Sequence, residues 1–327
     1  MSERVEVAPV APAAGRGLGS RSVIFGLKLL LSAALIGWIL RKTDLSEIAA
    51  AFRTAHPGLL LAALALHLVG YLITAQRWRL LLRVQAIDVP LAYLVRSYVI
   101  SIFFNNLLPS TIGGDVYRAY DSWRVGRKAG AVAVVMVDRF LGMLVLLLFA
   151  VGALAGSERL GLRVPLLQLW LLIAIGGAFA ALWLVFAPAS PLARLGARLN
   201  WLPGRALRGK LLGTLQLFHG RRDVLAAALG LSVLLQANVV IHYYLVACAF
   251  DLPIPLLAFF LVIPVAVVVM MLPVTINGIG VREHLFVFFF APFGVGAGEA
   301  VAFAWAVYGM VLLQGVAGGT LYALRRA

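Results

Sequence analysis

Along this chain the hydrophobic positions neither alternate nor recur at a simple helical spacing. They fill long unbroken stretches separated by short polar segments. About 20 consecutive apolar residues cross a hydrocarbon core as a helix. Stretches of that kind at 23–40, 58–76, 129–151, 166–187, 224–249 and 300–323 predict full spans. Two further apolar segments, 91–108 and 256–291, break the pattern: the first runs into a polar motif and the second is split by one. Residues 1–22 are rich in Ala, Pro and Gly and are expected to form a disordered cytoplasmic tail. The apolar run after them is full-length and lacks a clear cleavage signature, so it reads as a retained span rather than a signal peptide.

The polar segments orient these spans, because cytoplasmic loops carry an excess of Lys and Arg. The loop 188–222 holds Arg194, Arg198, Arg205, Arg208, Lys210, Arg221 and Arg222, which places it in the cytoplasm. The segment 77–90, with Arg77, Arg79 and Arg83, and the C-terminal Arg325 and Arg326 belong on the same side. Segments 250–255 and 292–299 have no basic residue and face outward. The exception is 41–57, which is placed outside although it carries Arg41, Lys42 and Arg53.

Counting sides then constrains the two interrupted segments. Residues 91–124 must enter from the cytoplasm and return there, and the limb 116–124 is too short and polar to span, so a re-entrant hairpin is expected. Residues 256–291 must enter and return from outside, as a re-entrant hairpin or as two thin spans. The motifs at the breaks are alike: LPSTIGGDVYR at 108–118 and LPVTINGIGVR at 272–282 share six of eleven positions. Similar breaks approached from opposite sides are the mark of an inverted-topology repeat, an arrangement in which transporters place a substrate site near the bilayer midplane. The expected fold is an all-α polytopic membrane protein of about six full spans and two broken or re-entrant hairpins, eight or so membrane segments. Its single transmembrane domain, 23–327, would contain half-repeats at about 58–151 and 224–323, joined through the loop 188–222.

Composition agrees: 63% of residues are hydrophobic and 13% charged, against about 45–50% and roughly 25% in soluble domains. The net charge of +15 lies mostly between spans and is no nucleic-acid footprint. It also suits attraction to anionic headgroups. The lone Cys248 excludes an intrachain disulfide and any multi-cysteine metal site.

Three motifs, NNLLPSTIGGDVYRAY (105–120), VDRFLGM (137–143) and LPVTINGIGVREHL (272–285), together with the order of the spans, resemble the flippase-like transmembrane domain of the lysylphosphatidylglycerol synthases. The resemblance extends over nearly the whole chain from about residue 23 and implies a helical bundle that moves lipid between leaflets. In the synthases a soluble aminoacyl-transfer domain follows. Here the chain ends directly after the last span, so a standalone member without synthase activity is expected.

Charges inside spans cost about 2.5–3.5 kcal/mol each on the insertion scale and are functional candidates by default. Those here are Asp115, Arg118, Asp138, Arg139, Arg282 and Glu283. A guanidinium can grip a phosphate with two parallel hydrogen bonds. Gly113 with Gly114, and Gly278 with Gly280, precede expected helix starts, whose N–H groups can face an anion. Pro109 and Pro273 supply the breaks. On this reading Arg118 and Arg282 contact the headgroup, one from each leaflet, with Asp115, Glu283, Asn105, Asn106 and Asn277 beside them. Structural pairing with Asp115 and Glu283, or snorkelling, is the alternative for the two arginines, and backbone satisfaction the alternative for the asparagines. Adjacent residues on a helix diverge, so Asp138 and Arg139 need partners elsewhere, which Arg118 or Asp115 can supply.

The leading expectation is a lipid translocator for an anionic phospholipid or lipid-linked headgroup, in a bacterial or archaeal cytoplasmic membrane, with both termini cytoplasmic. It has no phosphate-binding NTPase loop, and no cofactor, metal or nucleic-acid partner is expected. One alternative is a scaffold for an envelope- or lipid-synthesising enzyme, with 188–222 as its surface. Another is a lipid-modifying membrane enzyme, for which the five scattered histidines (56, 67, 219, 242 and 284) offer little beyond His284. His242 and Asn238, four residues apart, read as buried hydrogen-bonding groups, and Gly315 and Gly319 as a close helix contact.

Overall fold

The computed structural model describes residues 45–107, 113–126, 130–154, 221–271, 275 and 277–326, with isolated positions at 30, 34, 37, 38, 41, 172, 176 and 177. The expected tail 1–22, Pro109, Pro273, and nearly all of 23–40, 166–187 and 188–222 lie outside the described residues.

The described chain is helical: α1 Leu45–Thr54, α2 Pro57–Val84, α3 Leu91–Leu107, α4 Gly113–Gly126, α5 Gly130–Leu154, α6 Arg222–Ala249, α7 Leu256–Met271, α8 Val281–Phe290, a 3-10 turn Ala291–Phe293, and α9 Ala297–Arg326. Among the described residues four stretches are long and apolar enough to cross a membrane: Pro57–Val84, Val134–Ala153, Asp223–Ala249 and Ala297–Arg325. The chain is a multi-pass membrane protein. Leu91–Leu107 and Leu256–Met270 are apolar but shorter.

Antiparallel packing of α2 on α6 forms the spine. The His56 N–H donates to the Ala249 carbonyl (2.8 Å), His242 Nδ1 to that of Ala63 (2.9 Å), and Asn238 Nδ2 to that of Leu66 (3.0 Å). At the far end Arg77 donates to the Ser232 hydroxyl (2.7 Å). Both helices stop in the same way. Ala86 (φ 54°) and Asp251 (φ 52°) take left-handed backbone two residues past the helix end. The next amide then bonds back, Ile87 to the Leu82 carbonyl (3.2 Å) and Leu252 to that of Ala247 (3.0 Å), which satisfies carbonyls left over at a helix C-terminus. Pro90 and Pro255 then open α3 and α7.

Because α2 and α6 run antiparallel, α3 and α7 start at opposite ends of the spine and run inward. Each is followed by a returning arm. Tyr93 at the start of α3 meets Asp121 and Arg124 near the end of α4, and Phe259 in α7 packs on Phe290 at the end of α8. The tips meet: Asn277 Nδ2 lies 3.4 Å from the Asn106 carbonyl. α3 packs along α9 and α7 along α5; α4 lies on α5 and α8 on α9. One apolar core, rich in Phe259, Phe286, Phe290 and Phe303, fills one end. A second, around Trp78, Leu81, Leu94 and Leu141, fills the other.

The close approach of α3 to α9 depends on glycine. A Cβ at Gly318 would sit 2.2 Å from the Val99 carbonyl oxygen, and one at Gly319 2.9 Å from the Phe103 ring. One sequence expectation is corrected here. Arg77 does not begin a cytoplasmic loop; α2 continues to Val84, and Arg77 is buried within it.

Candidate functional site: a buried ion cluster beside a cavity

Three helices bring their charges to one place. From α5, Asp138 is buried and accepts from Arg77 Nε of α2 at 2.5 Å and from Arg118 Nη2 of α4 at 2.8 Å. Its neighbour Arg139 points elsewhere and pairs with Asp115 of α4. Arg118 Nη1 also lies 3.7 Å from Asp115. The guanidinium of Arg118 sits over the Trp78 ring (4.5 Å) and faces the Tyr98 ring (5.3 Å). These rings supply an electron-rich surface that partly replaces lost water. Arg118 Nε is buried without a hydrogen-bond partner.

The cluster borders a cavity of about 280 Å³ lined by Thr74, Arg77, Tyr98, Ser101, Asn105, Asp115, Arg118, Asp138, Arg139 and Gln236 among others. Three arginines and two aspartates leave it one positive charge. Buried pairs repay their desolvation only with good geometry and satisfied neighbours. Asp138 meets that condition through two arginines, while Arg139, whose side chain is 34% exposed, keeps its charge at the cavity edge.

The second motif is built differently. Arg282 donates to the Asn277 carbonyl (2.9 Å) and stacks over Tyr308 (4.3 Å), while its Nη1 is buried without a partner. It is not among the cavity's lining residues. Glu283 accepts the Gly280 N–H (2.7 Å), which ties its side chain back to the start of α8. Gly278 (φ 72°), Gly280 (φ 86°) and Asn277 (φ 51°) turn the chain there through left-handed backbone.

The family model described as lysylphosphatidylglycerol synthase TM region matches residues 25–318. The chain belongs to that family. It is also similar to a UPF0104 membrane protein of Methanothermobacter thermautotrophicus, 26% identical over 280 residues, which are 78% of this chain and 82% of the relative.

Within this synthase-TM-family chain, one N–H at each glycine break is taken by a side chain of the same motif, Gly114 by Asn105 and Gly280 by Glu283. Gly113 and Gly114 lie inside the first turn of α4, and the Gly114 N–H donates to Asn105 Oδ1 (2.6 Å). A Cβ at Gly114 would lie 2.5 Å from the Ser101 carbonyl oxygen, so the glycine serves close packing. The asparagines take backbone partners: Asn106 donates to the Val311 carbonyl (3.1 Å) and Asn277 to that of Asn106. Only Asn105 of the three also lines the cavity.

Several residues of the site escape the sequence reading. Arg77 is hidden by its neighbours Arg79 and Arg83, which make the segment look like a basic loop. Its helical register is the missed signal: it follows Ala63 and Gly70 at seven-residue steps, on the buried stripe facing α6. Tyr98, Ser232 and Gln236 are ordinary-looking polar residues in apolar helices. A second cluster also escapes: buried Asp121 accepts from Ser97 (2.6 Å) and Tyr93 (3.0 Å), and Arg124 and Arg325 each lie 3.2 Å from it.

Proposed function

We propose that the protein is a lipid translocator whose central cavity receives the phosphate of an anionic phospholipid. The cavity's single uncompensated positive charge carries this reading, since a phosphodiester headgroup brings one negative charge. Arg139 at the edge and Arg118, with an unused Nε–H, are the groups that meet it. A family whose name places it beside the synthesis of a phospholipid supports the same substrate class.

Alternating access would come from an inverted repeat in which α2–α5 and α6–α9 are equivalent halves. Three observations support this. Helix-end geometry recurs at Ala86 and Asp251, 165 positions apart. The packing of α3 on α9 and of α7 on α5 exchanges when the halves are exchanged. The arms enter from opposite ends of the spine and touch at Asn106 and Asn277. Two re-entrant hairpins, α3–α4 and α7–α8, follow from that arrangement. Among the described residues Arg79, Arg83, Arg124, Arg221 and Arg325 lie at one end of the spine and Glu47, Asp251 and Glu299 at the other, with Arg53 an exception. This charge asymmetry favours a cytoplasmic C-terminus.

The test is reconstitution into vesicles carrying a fluorescent phosphatidylglycerol that an impermeant quencher bleaches only in the outer leaflet. Wild-type protein should expose the inner-leaflet probe, and Arg139→Gln should slow that about tenfold or more while leaving the elution profile of the folded protein unchanged. Equal rates in both proteins, or no lipid movement in the wild type, would overturn the proposal.

A further inference from the structure

Two histidines scattered in sequence meet inside the bundle. His67 of α2 and His242 of α6 stack with ring centroids 4.6 Å apart and planes inclined by 28°. Both lie well within helices that by length and composition cross the membrane. The hydrogen bonds around them fix which nitrogens carry protons. His242 Nδ1 donates to the Ala63 carbonyl, which leaves Nε2 with the lone pair, and that atom is buried without a partner. On the other ring, His67 Nδ1 accepts from the Gln314 amide nitrogen of α9 at 3.3 Å. The Gln314 carbonyl oxygen accepts in turn from the Tyr71 hydroxyl.

From this pair a chain of side chains leads to the ion cluster. The Tyr71 ring meets Tyr98 of α3 at 5.2 Å, and Tyr98 lines the cavity and faces Arg118. Tyr243 of α6 lies edge-on to His242 and near Arg282 of α8, which stacks over Tyr308 of α9; the nearest charges on the other packed helices include Arg77 of α2, Glu283 of α8, and Asp138 and Arg139 of α5. Among the described residues neither ring has an ion pair to a carboxylate. Two imidazolium rings stacked this closely would repel each other, so the pair has room for a single added proton, and the vacant Nε2 of His242 is where it would go.

We propose that the His67–His242 pair is a proton site that couples movement of the anionic headgroup to movement of one proton. This rests on the cavity receiving an anion. On loading, a proton delivered by water forms an N–H bond at His242 Nε2; on release that bond breaks and the proton returns to water, with no redox change. A cation in the pair and an anion in the cavity attract each other, so each raises the affinity for the other by the same factor. The passenger and its proton would cross together with no net charge.

The first test needs no transport. Wild-type protein with ring-labelled histidine, in bicelles, is titrated by NMR between about pH 4 and 8, the range that brackets ordinary imidazole titration. One proton per stacked pair should bind, and bicelles containing phosphatidylglycerol should move that midpoint upward by about one unit relative to uncharged bicelles, a tenfold coupling. Arg139→Gln, which removes a headgroup contact, should keep the proton but lose most of the lipid-dependent shift. If both rings stay neutral throughout, or the shift is the same without anionic lipid, the proposal is overturned. The second test applies a pH gradient across vesicles holding labelled phosphatidylglycerol. One proton per lipid should drive up to about tenfold leaflet asymmetry per pH unit, collapsing towards one in His242→Gln. Lipid that equilibrates in wild-type vesicles but ignores the gradient overturns the coupling and leaves translocation standing. If no lipid moves at all, the translocation reading falls and with it the coupling, while the titration still decides whether the pair holds a proton.

Discussion

Asp138 is the residue on which the ion cluster depends. It is buried between Arg77 and Arg118, so removing its charge strands two guanidinium groups away from water. Breaking one side of a buried network costs about 3–5 kcal/mol. Asp138→Asn preserves shape and should lower stability by about that much, read as a shift in the unfolding midpoint in detergent. Arg139→Gln should cost much less, because its side chain is 34% exposed and Asp115 keeps Arg118 at 3.7 Å. Equal losses in the two variants would show that burial does not set the hierarchy. At this scale sequence goes part of the way. Charges inside apolar runs single out Asp138, Arg139, Asp115 and Arg118. Which pairs with which depends on helix faces brought together from far apart, and the loop-like cluster of arginines conceals Arg77. His67 and His242 are more distant still, and nothing local to either announces a neighbour.

Between elements, the decisive contact is α3 against α9, because it holds the first hairpin in place beside the ion cluster. It exists only where side chains are missing. Gly318→Ala would drive a methyl group into the Val99 carbonyl, at 2.2 Å on the present backbone, and overpacking of this kind costs about 1–3 kcal/mol. Gly309→Ala, in the same helix with nothing within 4 Å, should be neutral or stabilise by up to about 1 kcal/mol, since alanine favours helix over glycine. Parallel unfolding curves of the two variants make the comparison, and a neutral Gly318→Ala would mean that the contact yields easily. The glycine pair at 315 and 319 is legible as a close helix contact, but its partner helix is not. Long spans are likewise legible because hydropathy integrates over many residues. Their ends are less so: α2 runs past the apolar stretch because Arg77 and Trp78 are buried by neighbours rather than by local composition.

For the whole molecule, the antiparallel spine makes a claim about sidedness that the charge count alone makes only weakly. If α3–α4 and α7–α8 enter from opposite faces, the ends of the two hairpins must be reachable from opposite compartments. Arg124, near the end of α4, and Asp251, just before α7, are both exposed enough to report this, with side chains 48% and 71% accessible. Replacing Cys248 with serine leaves a chain free of native thiols. In that background, Asp251→Cys in intact cells should react with an impermeant maleimide, and Arg124→Cys should react only after the membrane is opened. A third variant probes the meeting point. Asn106→Cys with Asn277→Cys should cross-link within one chain, because the Asn277 amide lies 3.4 Å from the Asn106 backbone. Opposite sidedness with a ready cross-link is what an inverted repeat requires. Labelling of both ends from the same face would remove the repeat, and with it the alternation of access between leaflets, while leaving the ion cluster and its cavity where they are.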